Sequence, residues 1–149
     1  MNQPGVGLMY LSGISDNISQ IACLSQTHDG IPIGNTTAKI IFTPANKIRL
    51  YTCSFTNPIH FSSSIPSLSP QSAIALGETA LDATFVPRSN IKGAEINIEY
   101  LVKEHQTAVL VYGFDLENEH KGTSWRAFVN AHTGEIEDVI NHVYRTKLF

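Results

Sequence analysis

The sequence predicts an α+β fold built as two small subdomains, and three observations carry that prediction. The first half holds β-branched, apolar segments separated by turn signals, the pattern of an antiparallel meander. A serine- and proline-rich stretch follows and opens into one segment with helical spacing. The remainder alternates apolar and polar residues, as strands of a second antiparallel sheet do. The expected layout is a three-stranded meander over residues 1–60 and a linker over 61–69. Residues 70–149 would then be a helix packed on an antiparallel sheet, with a C-terminal tail.

Each element has its own justification. Residues 18–26, ISQIACLSQ, place Ile21 and Cys23 on one face and Ala22 and Leu24 on the other. Asp29-Gly30 is a strong turn signal. Residues 37–43, TAKIIFT, and 47–55, KIRLYTCSF, flank the turn PAN as a strand pair. The uncharged stretch TNPIHFSSSIPSLS at 56–69 reads as the linker. Ser69 as N-cap and Pro70 at the first helical position start a helix over 70–83. Ala73, Ile74, Leu76, Ala80 and Leu81 recur along it at mostly helical spacing, and Gly77 in its middle implies the close approach of a strand. Residues 94–102 alternate, with Ile96, Ile98 and Tyr100 facing in and Glu95, Asn97 and Glu99 facing out. TAVLVYGFDL, 107–116, is apolar on both faces and reads as a central strand. SWRAFVNA, 124–131, turns at HTG into EIEDVINHVY, 135–144, with Gly134 supplying the positive φ of the turn.

Composition limits the function. Ten Lys and Arg against thirteen Asp and Glu give a net charge of -3, so no basic surface invites nucleic acid. No apolar run approaches the ~20 residues that a bilayer crossing needs. The N-terminus MNQPGVGLMYLSG has neither a basic segment nor a long apolar core. The chain as it stands is therefore expected in the cytoplasm, and outside the cell if a leader has been removed. Asn17 and Asn35 head N-x-S/T triplets and would accept glycans in a secreted chain. Cys23 and Cys53 leave a single disulfide or two free thiols open, and the lack of a leader favours free thiols.

No catalytic pattern emerges. Six histidines are scattered, without HExxH, and the two cysteines are thirty positions apart, so no metal site or cofactor is expected. PGVG lacks the strand-before, helix-after setting of a dinucleotide loop, and neither GxSxG nor a P-loop is present. Asp115, Glu117 and Glu119 read as a solvated face, Trp125 as a core or hairpin anchor, and His132 as an exposed turn residue. The chain is not expected to be an enzyme.

Two stretches carry a resemblance. LSQTHDGIPIGNTTAKIIF has Gln26, Gly30, Ile31 and Pro32 in a Q-x-x-x-G-I-P arrangement similar to that of fungalysin/thermolysin propeptide domains, and SLSPQSAIALGETAL resembles the helix that follows in that family. WRAFVNAHTGEIEDVINHV resembles the PepSY hairpin through Trp125, Val129, Ala131, Thr133, Gly134, Glu135 and Ile136, with Asn130 where Asp is usual. The resemblance covers about residues 18–143. It implies a stand-alone propeptide-like protein that binds a secreted or vacuolar fungalysin-type zinc metallopeptidase, inhibiting it or assisting its folding in trans. It also places the junction with such a peptidase at the C-terminal tail. Expected partner contacts are therefore Asn141, His142, Val143, Tyr144, Arg145 and Lys147, with Trp125 and His132 near the hairpin. A homodimer through an open sheet edge is compatible with this layout. The alternative is a ligand-binding module, for carbohydrate or defence, that reuses the fold.

Overall fold

The computed structural model describes residues 6–87 and 96–142. In chain order these form β1 (Val6–Ser15), β2 (Gln20–His28), β3 (Ile31–Phe42), β4 (Ile48–Cys53), β5 (His60–Phe61), α1 (Pro70–Leu81), β6 (Thr84–Phe85), β7 (Asn97–Lys103), β8 (Thr107–Asn118), β9 (Thr123–Asn130) and β10 (Ile136–Asn141). The described residues group into two compact units, one of 6–61 and 100–108, the other of 62–87, 96–99 and 109–142.

In the first unit β1 to β4 form an antiparallel meander. Asp29 and Gly30, with φ of 50° and 77°, make the tight turn between β2 and β3. β3 also touches β7 in parallel at Ile33 and Tyr100, and β5 runs parallel to the start of β8. Ile33, Tyr100 and Ala108 are fully buried. His28 stacks on Phe61 with ring centroids 3.8 Å apart, and both rings meet the edge of Tyr100.

In the second unit β8, β9 and β10 are antiparallel neighbours, and β6 pairs with the far end of β8. α1 starts as its sequence dictates: the Ser69 hydroxyl accepts from the Ser72 N–H, and Pro70 follows. It ends at Asp82 in a left-handed conformation. Gly77 lies so close to β8 that a Cβ there would sit 2.9 Å from Cζ of Phe114. The core comprises Ala73, Leu110, Val111, Phe114, Leu116, Ala127, Val129 and Ala131.

The α+β expectation is corrected by this architecture. Strands make up more than half of the described residues, and α1 is a single short helix among mixed parallel and antiparallel pairings. Two things hid this from the sequence. β1 carries two glycines and breaks alternation at Met9-Tyr10-Leu11, so it does not read as a strand. Parallel contacts between distant segments leave no mark on local periodicity.

Candidate functional site

The least covered part of the molecule is the four-stranded meander. Directly opposite residues in an antiparallel ladder share a face, so the register defines rows across all four strands. Ile14, Ile21, Ile41 and Leu50 make one apolar row. On the other face Tyr10 aligns with Leu24, Ala38 and Cys53, and Ala22 with Ile40 and Tyr51. At the edge strands these rows end in open side chains, with Ile14 69%, Tyr10 63%, Leu50 55% and Tyr51 70% exposed. All six residues of β4 are exposed. Sequence reasoning placed no function here. The available signal was consecutive apolar residues, as in Leu50-Tyr51, on strands at the ends of the meander.

The residues that carry the family resemblance have structural work in this fold. Gln26 is buried, and its Oε1 accepts from the Thr56 N–H at 3.3 Å. Its own N–H donates to Thr36 Oγ1, which in turn donates to Ile33 O at 2.6 Å. Gly30 supplies the turn. At the second motif Asn130 Oδ1 accepts from the N–H groups of His132 and Thr133, and Asn130 Nδ2 donates to Glu137 Oε1 at 2.9 Å. Gly134 has φ 79°, and a Cβ there would run into Leu76 of α1.

His132 is more than an exposed turn residue. Its Nε2 lies 3.0 Å from Ser63 O and its Nδ1 2.8 Å from Ser67 Oγ. Because a carbonyl can only accept, Nε2 carries the proton and Nδ1 accepts from the serine hydroxyl. The N–H groups of Ser67 and Leu68 also donate to Ala131 O. The ring and backbone together hold segment 63–68 against the hairpin.

Asp115 is not a solvated carboxylate. It is buried opposite Arg126 in the β8–β9 register, with Arg126 Nη1 3.3 Å and His142 Nε2 3.4 Å from its Oδ1. The hairpin turn fixes this pairing, so counting outward from His120-Lys121 would have found it. Burial pushes the Glu99 carboxyl above its ordinary range, and Arg126 partly opposes the shift. Glu117 and Glu119 line a cleft of about 460 Å³ with Glu78, Asp82, Asn118 and His120. Lys121 Nζ reaches Asp82 at 2.7 Å and holds that carboxyl below its ordinary range. Among the described residues no three His, Cys, Asp or Glu side chains converge as a metal site. No helix among them is long and apolar enough to cross a membrane.

The expected contact residues do not form one patch. Trp125 and Asn141 are cross-strand partners at one end of the β9–β10 hairpin, where the His142 N–H donates to Ser124 O. Trp125 is half-buried and aligned with Leu116, on the face that packs against α1. His132 lies at the other end, about 20 Å away along the strand. Val143, Tyr144, Arg145 and Lys147 lie outside the described residues. Asn17 is exposed beside the β1–β2 turn, and Asn35 is exposed with φ 59°. Cys23 and Cys53 are free thiols on strands two places apart in the sheet. The register puts Cys23 in the row of Lys39 and Cys53 in the adjacent row of Ala38, hence on opposite faces. The fold does not bring the two sulfurs together.

Compared with known proteins, the sequence matches no family profile and no curated protein. Among solved structures the fold is similar to the YpeB C-terminal domain of Bacillus megaterium, with a TM-score of 0.45 and 19% sequence identity. The match covers 90% of this chain and 56% of that one, so the chain spans just over half the length of that structure. None of these comparisons shows the expected likeness to fungalysin-type propeptides.

Proposed function

We propose that the protein is a non-enzymatic, propeptide-like binding module that docks in trans on a secreted or vacuolar zinc metallopeptidase of the fungalysin type and inhibits it or assists its folding. The observation that supports this reading is the exposed apolar surface of the meander, above all β4, where Ile48, Leu50 and Tyr51 are open to solvent by 61%, 55% and 70%. Ile48 and Leu50 lie on one face of the strand and Tyr51 on the other, and exposed apolar side chains at a sheet edge mark protein interaction sites. An open strand edge adds main-chain groups that a partner can engage by strand addition. The zinc belongs to the partner, and this chain supplies surface and no reacting group.

The test is a titration of the protein against an activated fungalysin-type peptidase, with thermolysin in parallel, following peptide hydrolysis. The expected result is saturable inhibition at micromolar concentration or below, weakened at least ~10-fold by Leu50→Lys. Removal of residues 143–149 measures what the tail adds. Absence of inhibition of either enzyme at tens of micromolar overturns the reading.

A second reading, a module for a hydroxylated ligand such as a carbohydrate, draws on the cleft of Glu78, Glu117, Asn118 and Glu119, whose carboxylates and amide can pair with hydroxyl groups. A saccharide-dependent rise in melting temperature, lost on Glu117→Gln, would favour it over the first.

A further inference from the structure

We propose that β1 is a self-association edge, through which two copies of the chain pair antiparallel, β1 on β1, and extend the meander into one continuous sheet. Among the described residues β1 pairs with β2 along one side and with no other strand. Its sequence, VGLMYLSGIS, contains no charge and no proline. Natural edge strands are usually blunted by lysine, proline, inward-pointing charge or shortness. β1 is ten residues long and uses only one such device, the irregularity at Leu11 between Tyr10 and Ser12. The opposite edge, β4, is shorter and carries Arg49.

The occupant follows from chemistry and size. A strand made only of apolar, small and hydroxyl residues meets no like charge when it lies against its own copy, whichever register the two-fold axis selects. Leu8, Tyr10, Leu11 and Ile14 are 58%, 63%, 46% and 69% exposed, so such pairing covers apolar side chains along with backbone groups. Tyr10 folds over Gly13, filling the space that a side chain there would take. The strand is about 34 Å long. Pairing along it covers several hundred Å² on each copy, at the low end of specific interfaces, which fits a weak, reversible dimer.

This inference does not depend on the metallopeptidase reading, because it concerns the protein alone and the opposite edge of the sheet. Sedimentation velocity of the full chain, from low micromolar to several hundred micromolar, tests it. A monomer–dimer equilibrium is expected. Ile14→Lys and Leu8→Lys should each weaken it at least ~10-fold, with far-UV circular dichroism unchanged, while Tyr51→Lys leaves it as it was. Should both β1 variants fail to fold, amide exchange of the unmodified protein decides: β1 amides must slow as concentration rises. A monomer at every concentration, or a dimer weakened equally by Tyr51→Lys, overturns the proposal.

Discussion

At position 130 one side chain has two roles: its oxygen accepts from two turn N–H groups, and its nitrogen donates to Glu137. Aspartate, the usual residue in the resembled motif, would keep the first role and lose the second. It would also set two carboxylates within hydrogen-bond distance, where one must take up a proton or both repel. Asn130→Asp is therefore expected to lower stability by about 1–3 kcal/mol near neutral pH, with a smaller loss at acid pH, where one carboxyl is protonated. Urea unfolding at the two pH values checks this, and adding Glu137→Gln should restore the loss. Equal stability of Asn130→Asp and the parent at neutral pH would refute it. Residue roles of this kind were only partly legible. Gly30 and Gly134 announced their turns because positive φ is a local demand. The groups that Gln26 and His132 contact, the Thr56 N–H and the Ser63 carbonyl, lie 30 and 69 positions away in sequence, beyond the reach of any local pattern.

Among the elements, α1 was the most legible, since the Ser69 cap, Pro70 and the spacing of apolar residues all act within one turn or two. Even the reason for its glycine could be read in advance. By intrinsic propensity Gly77→Ala should gain up to ~1 kcal/mol. The added methyl, however, would press on Phe114, which is fully buried and has no room to swing aside. The expected net effect is a loss of about 1–3 kcal/mol, read as a lower urea midpoint; a higher midpoint would mean that the helix can shift off β8. Strand β1 was missed for the opposite reason. Its glycines and its irregularity erase the period of two, and only its neighbour β2 makes it a strand.

For the molecule as a whole, the sequence conveyed which segments are apolar but not which distant ones meet. TAVLVYGFDL was rightly central, since β8 has partners in β5, β6 and β9. What periodicity could not convey is that β5 joins it in parallel, or that residues 100–108 group with the first sixty-one. Those pairings turn a helix-and-sheet expectation into a mostly β molecule. The exposed rows of the meander were unreadable for a related reason. An isoleucine in a strand looks the same in sequence whether a second layer covers it or not. The proposed inhibition through β4 and self-association through β1 both rest on that uncovered sheet.

The two thiols give the meander a pair of built-in clocks. Cys53 is exposed on the outer strand and Cys23 is half-buried on an inner one, facing the other way. A small thiol reagent should consume Cys53 within its own mixing chemistry, and Cys23 more slowly, as β1 peels from β2. A protein seated on β4 would silence the fast clock and leave the slow one running, whereas a second copy on β1 would retard the slow one alone. Peptide mapping of labelled protein over time reads both hands at once, and a single shared rate would mean that the sheet opens as fast as it is labelled.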